Sequence, residues 1–152
     1  MIQRVQSVWL FLASLTLFLC LILPILTKQG PSGDLAIFAG GLYHKVNNLP
    51  QKLESYTAVF GGVIAACLLC LINIFIFRNR TLQKRIIIIS IVLILVVAGI
   101  LAAHAMKIPG GVAGATFSAG AYMPVLSILF CALAFRGIRK DEQLIRSADR
   151  LR

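Results

Sequence analysis

Acidic residues are scarce in this chain, which has 5 Asp and Glu against 15 Lys and Arg among 152 residues. Charged residues of both signs make up only 13% of the sequence, hydrophobic residues make up 59%, and the mean hydropathy is +0.92. Soluble globular domains carry about a quarter charged residues. The composition therefore excludes an ordinary soluble domain and indicates a single small membrane domain.

Cysteine is missing from the connecting segments, because Cys20, Cys67, Cys70 and Cys131 all lie inside apolar runs. A thiol in hydrocarbon is poorly ionised and is a poor nucleophile or ligand, so we interpret these cysteines as packing residues. Cys67 and Cys70 form a CxxC motif, but Cys67 lies about 16 Å along its run, near the middle of a bilayer. This depth argues against a thiol oxidoreductase.

Residues for other chemistry are equally sparse. No Asp, Glu, Lys or Arg lies within the four apolar cores, which removes the usual elements of proton relays and ion pathways. His44 and His104 are the only histidines, and we favour interfacial histidines over a haem or quinone site between them. The sequence predicts no catalytic residue, metal ligand or cofactor, and hence no enzyme.

Four apolar runs are long enough to cross a bilayer, for which about 20 residues suffice. The first has a basic start, as a signal peptide has, but its apolar stretch is too long and no A-x-A-like cleavage site follows it. We therefore expect it to be retained. The sequence predicts an all-α membrane protein, a four-helix transmembrane bundle, with spans over residues 5–26, 56–77, 86–106 and 119–135.

Basic residues predict the orientation, because they accumulate in cytoplasmic loops. We expect a cytoplasmic loop 78–85 and tail 136–152, outer loops 27–55 and 107–118, and both termini inside. Basic residues cluster at the ends of the apolar runs and are not interleaved with aromatics, so no nucleic acid partner is expected. Eleven basic residues then lie inside (Arg4, Arg78, Arg80, Lys84, Arg85, Arg136, Arg139, Lys140, Arg146, Arg150 and Arg152) and four outside (Lys28, Lys45, Lys52 and Lys107).

Small residues at four-residue spacing indicate faces for close helix packing within membranes. One polar amide inside a span marks a further helix contact, since such groups are costly unless they are paired. The spacing does not say whether the partner helix belongs to this chain. The predicted packing residues are Gly61, Gly62, Ala65, Ala66, Asn73, Ala98 and Ala102.

The tail has the spacing of a short amphipathic helix, with Leu144, Ile145, Ala148 and Leu151 on one face. It can lie on anionic lipid, fold back on loop 78–85, or dock on a cytoplasmic partner. Its acidic residues add nothing to orientation and favour specific pairing. The predicted contacts with a partner or with lipid are Arg78, Arg80, Lys84, Arg85, Arg139, Lys140, Asp141, Glu142, Arg146, Asp149, Arg150 and Arg152.

The two ends of the chain, MIQRVQSVWLFLA and KDEQLIRSADRLR, resemble a family of small four-span inner-membrane proteins of unknown function found in Bacteroidota. Met1 to Arg4, Gln6 and Lys140 to Arg152 carry this resemblance, which implies a bacterial inner-membrane location and no reaction. We expect a structural or accessory subunit that contacts lipids and either other membrane proteins or its own copies. The alternatives are a small transporter, channel or lipid-binding protein and, third, a quinone- or thiol-linked redox protein.

Overall fold

The computed structural model describes residues 3–29, 34–46, 49–77, 79–108 and 114–149. Within these ranges, four helices are long and apolar enough to cross a membrane, which indicates a multi-pass membrane protein. They are α1 (Gln3–Ile22), α2 (Thr57–Phe75), α3 (Arg80–Met106) and α4 (Ala119–Asp149).

The helices pack as a ring in which each contacts its neighbours: α1 with α2, α2 with α3, α3 with α4 and α4 with α1. The α1–α4 contact is the most extensive of the four. Large apolar side chains such as Phe75, Val125 and Leu129 remain exposed on the outside of the ring. A soluble protein would bury such side chains, whereas a membrane protein exposes them to lipid.

A five-stranded antiparallel sheet covers one end of the bundle, so the expectation of an all-α fold is wrong. Apart from Leu26, which we placed at the end of the first span, the strands lie in the segments 27–55 and 107–118, which we expected to be loops. In spatial order the strands are β4, β3, β2, β1 and β5. Their bounds are β1 Leu26–Lys28, β2 Asp34–Phe38, β3 Gly41–Val46, β4 Leu49–Ser55 and β5 Ala115–Phe117.

The sheet places one row of aligned apolar residues from β1, β2 and β3 against the bundle, and a glycine permits its tightest turn. Leu26, Ile37 and Leu42 are buried and join the core that runs through the helices. Gly41 follows the β2–β3 turn with φ +149°, and a Cβ there would lie 2.2 Å from the carbonyl oxygen of Glu54. Only glycine fits this position, since a Cβ at that distance would overlap the β4 backbone.

The tail is not a separate short helix, because α4 continues without a break from Ala119 to Asp149. At 1.5 Å per residue, its 31 residues reach about 46 Å, against about 30 Å for the hydrocarbon core. The helix therefore extends well beyond a membrane-spanning length.

Pro124 lies in the second turn of α4 and has no backbone N–H to donate to the Gly120 carbonyl. The Cys20 thiol approaches this carbonyl oxygen at 3.8 Å.

Candidate functional site

Three sets of polar contacts join the helices at the end of the bundle opposite the sheet. α1 and α3 begin at this end, and α4 reaches it after leaving the sheet. We call the contacts of Gln6, Lys84, Asp141 and Glu142 the polar junction. It lies where the predicted cytoplasmic residues concentrate.

The buried half of the polar junction joins α1 to α4. The Gln6 amide donates to Asp141 Oδ2, and both side chains are buried, with 6% and 7% exposed. Gly137 permits this approach, because a Cβ there would lie 3.2 Å from Gln6 Cγ. The second oxygen of Asp141, Oδ1, is also buried and has no hydrogen-bond partner among the described residues. A buried carboxylate depends strongly on its few partners, so Gln6 is essential to this contact.

The more exposed half joins α3 to α4. Lys84 Nζ lies 2.5 Å from Glu142 Oε2, and each side chain is about one quarter exposed. Water therefore screens this ion pair more than it screens the buried contact beside it. The two neighbouring acidic residues of α4, Asp141 and Glu142, thus contact two different helices.

A reciprocal pair of hydrogen bonds joins α2 to α3 on the same side of the bundle. Asn73 Nδ2 donates to the Gln83 carbonyl at 3.3 Å, and Gln83 Nε2 donates to the Asn73 carbonyl at 3.4 Å. Both residues are buried. The structure thus places Asn73 at a helix contact, within the hairpin of α2 and α3.

The exposed cations at this end point away from the polar junction. We call Arg85, Arg136, Arg139 and Lys140 the basic surface; all four are exposed. Arg80 is half-buried at the start of α3. Arg78, Arg150 and Arg152 lie outside the described residues, and Arg146 and Asp149 are described only in their backbone.

The predicted packing residues fall on two different faces of α2. Gly62 faces α3, and a Cβ there would lie 2.5 Å from Cγ2 of Val97. Gly62 is half-buried and Ala66 is buried, whereas Gly61 and Ala65 are exposed. On α3, Ala98 is half-buried and Ala102 is exposed. The structure thus uses one small-residue pair inside the bundle and leaves the other on its outer surface.

The cysteines of the CxxC motif do not face each other. Cys67 Sγ lies 3.4 Å from the Ser14 carbonyl, whereas Cys70 Sγ lies 3.9 Å from Cys131 Sγ of α4. Sequence spacing gave no sign of the Cys70–Cys131 proximity, because the residues are on different helices.

The two histidines occupy different parts of the sheet end. His104 packs against Tyr56 with ring centroids 4.3 Å apart and ring planes tilted by 54°, and its Nδ1 lies 2.8 Å from the Ile100 carbonyl oxygen. His44 lies on β3, opposite Leu35 of β2 and Gln51 of β4. Among the described residues, no group of three or more His, Cys, Asp and Glu could hold a metal ion.

Gln6 is the site residue that we did not predict from the chemistry of the sequence. The available signal was a polar amide in the first turns of an apolar run. Its partner is 135 positions away, so local spacing could not identify the pair.

A family model described as a domain of unknown function, DUF4293, matches residues 2–151. No curated protein and no solved structure matches the chain significantly.

Proposed function

We propose that this chain, which belongs to the DUF4293 family, is a non-enzymatic accessory subunit of a bacterial inner-membrane protein assembly. It contacts its partner through the cytoplasmic end of the bundle, where the basic surface lies. One observation carries the proposal: α4 continues beyond membrane-spanning length, and the polar junction holds it against two other helices.

The orientation that we propose places both termini in the cytoplasm. Lys28, Lys52 and Lys107 belong to the sheet end or to the segment beside it, and the basic surface belongs to the opposite end. The excess of Lys and Arg at the opposite end supports a cytoplasmic position for it. Four spans bring both termini to the same side, in agreement with this assignment.

The course of α4 favours a protein partner over adsorption to lipid. Arg136 lies 17 residues after Ala119, a distance of about 26 Å along the helix axis. The first basic residue is therefore near the end of the hydrocarbon, and the helix continues for 13 more residues. An amphipathic helix that adsorbs to lipid lies in the membrane plane. An unbroken helix that continues a span instead projects from the surface, where a cytoplasmic protein can reach it.

Charge indicates what the partner presents. Asp141 and Glu142 make their contacts with Gln6 and Lys84, so these two acids turn toward the bundle. The basic surface keeps its positive charge on the outside. Charge complementarity directs association and selects partners, and an acidic segment of a cytoplasmic or membrane protein is the complement of this surface.

The test is recovery of the tagged full chain from its native membrane in mild detergent. Mass spectrometry identifies the proteins that remain bound, and an absorption spectrum of the same sample detects haem or quinone. We expect a stoichiometric membrane or cytoplasmic protein and a colourless sample. A homo-oligomer without other proteins would contradict the accessory role, and a haem or quinone spectrum would support a redox protein instead.

Matched charge variants test the location of the contact. R139Q/K140Q removes two charges from the basic surface, and K52Q/K107Q removes two charges from the sheet end. All four side chains are exposed, so both variants should keep the helical circular dichroism of the natural chain. We expect only the first variant to release the partner. Equal retention by both variants would contradict docking at the basic surface.

A further inference from the structure

An apolar groove lies between α3 and α4, directly beneath the sheet. These two helices are joined by Lys84 and Glu142 at the opposite end, and near the sheet they enclose a cavity of about 180 Å³. Small residues line much of it: Ala98, Ala102 and Ala105 on α3, and Gly120 and Ala121 on α4. Their short side chains leave unfilled the space that larger residues would occupy.

A smaller cavity of about 20 Å³ lies next to the groove, inside the bundle. Ile25, Ala98, Leu101 and Pro124 line both cavities. The inner cavity reaches Gly62 and Ala66, the small residues on the inner face of α2. The volume of the groove itself, about 180 Å³, makes it a recess and not a flat apolar face.

The size and polarity of the groove restrict what can fill it. Both lining helices are candidate membrane spans, and no charged residue lines the groove. An engineered apolar cavity of about 150 Å³ stays dry and binds benzene, so a recess of about 180 Å³ suits several carbons of an aliphatic chain. If the recess were empty, its lining atoms would lack dispersion contacts on one side. An aliphatic chain that enters from the bilayer restores these contacts.

A polar recess lies on the other side of the same strands. Its cavity of about 460 Å³ is lined by Thr27, Lys28, Asp34 and Thr116, among others. Successive residues of β5 separate the two compartments, since Phe117 lines the apolar groove and Thr116 lines the polar recess. β5 is a three-residue edge strand, so one amphiphile can reach both sides around it. The polarity of the two compartments matches the tail and the head of a membrane lipid.

We infer that the groove between α3 and α4 binds an acyl chain of a membrane phospholipid. The polar recess beside β5, where Lys28 and the hydroxyl groups of Thr27 and Thr116 supply groups that bind phosphate oxygens, receives the head group of the same molecule. This site is separate from the basic surface and does not depend on the accessory role proposed above.

Photo-crosslinking of the full chain in phosphatidylethanolamine and phosphatidylglycerol vesicles tests the inference. One sample contains phosphatidylglycerol with a diazirine in its acyl chain, and the other contains a diazirine-labelled polyprenol. Mass spectrometry of peptides then locates the labels. We expect several-fold more label at Ala102, Ala105 and Val125 than at Leu68 and Ile72, which are exposed on α2. Excess label from the acyl-chain probe supports the inference, whereas excess label from the polyprenol alone would overturn it.

Two neighbouring substitutions on α3 provide the matched control. A102W fills the groove, whereas A103W adds the same side chain at an exposed residue that does not line the groove. We expect A102W to lose the excess label at Ala105 and Val125, and A103W to keep it. Thermal melts followed by circular dichroism verify that both variants fold. Uniform label over all exposed apolar positions, or equal label in the two folded variants, would overturn the inference.

Discussion

Replacing Gln6 by Met should destabilise the fold more than removing the neighbouring ion pair does. Met keeps the approximate length of the Gln side chain but removes the amide that donates to Asp141. The carboxylate would remain buried, and its Oδ1 already has no partner among the described residues. The substitution therefore tests whether this single buried contact fixes α4 against α1.

The burial of the two contacts sets the expected magnitudes. A hydrogen bond to a charged group contributes about 1.5–3 kcal/mol, so Q6M should lower the free energy of unfolding by about that amount. This corresponds to roughly a ten- to hundredfold change in the equilibrium constant. K84M removes an ion pair that is about one quarter exposed, and such pairs contribute about 0.2–1 kcal/mol.

A double substitution separates the lost hydrogen bond from other effects. Replacing both partners of a buried hydrogen bond by apolar groups is nearly neutral, because no unsatisfied polar atom remains. Q6M/D141L should therefore be more stable than Q6M alone. An additive loss in the double variant would mean that the two side chains do not depend on each other.

Trp9 provides the measurement, since it is the only tryptophan of the chain and stacks on Phe130 of α4 with ring centroids 5.8 Å apart. It lies one helical turn from Gln6, so its fluorescence reports on separation of α1 from α4. SDS titration of the protein in mixed micelles gives the unfolding free energies of the variants. The reasoning is refuted if K84M costs as much as Q6M, or if Q6M leaves the transition unchanged.

Glycine substitutions test the close contacts in three other places. G62A should be about 1–3 kcal/mol less stable than G61A in SDS titration, because only the first adds a methyl group against a valine of α3. G120A should prevent the start of α4 from packing on the segment that follows α1, since the added Cβ would lie 2.6 Å from the carbonyl oxygen of Pro24. In G99A the added methyl group meets no atom within 4 Å, so this variant should be neutral or stabilising in the same SDS titration. G41A should reduce hydrogen-exchange protection of the backbone amides of β3 and β4, because Gly41 has a positive φ. G40A, which changes the preceding glycine of the turn, is the control. Equal protection in the two variants would contradict the requirement for glycine at position 41.

The sequence predicted the helices because a span must be apolar over about 20 residues, a pattern that is readable without tertiary contacts. It placed the start of the third span at residue 86, whereas α3 begins at Arg80. The difference arises at Asn79, whose Oδ1 accepts from the Leu82 backbone amide at 3.2 Å and caps the helix. A polar turn thus extends the helix beyond its hydrophobic part, which a hydropathy pattern does not detect.

The sheet could not be predicted in the same way. β1 and β5 have three residues each, too few for an alternating pattern, and five other elements lie between these two paired strands in the chain. Thr27 Oγ1 and Thr116 Oγ1 lie 2.8 Å apart across this pairing, although 89 residues separate them in sequence. Short strands depend on such distant partners for their backbone hydrogen bonds, and neither segment reveals its partner locally.

The candidate sites required tertiary structure for the same reason. The acidic residues of the tail favoured pairing with another protein when only the tail was considered. In the folded chain, Asp141 and Glu142 contact Gln6 and Lys84, and it is the cations of α4 that remain on the outside. Packing therefore determines which charges of the tail are available to a partner, and the composition of the tail does not show this.

The two proposed sites lie at opposite ends of α4, which makes their tests independent. Ala121 of the groove and Arg139 of the basic surface are 18 residues apart, about 27 Å along the helix. Charge interactions are largely screened over that distance at physiological ionic strength, where the Debye length is about 8 Å. A substitution in the groove should therefore leave partner binding intact if the bundle folds, and removal of charge from α4 should leave lipid labelling intact. A subunit that loses one activity and keeps the other would identify two separate functions, whereas joint loss in a folded protein would indicate that lipid and partner bind the same conformation.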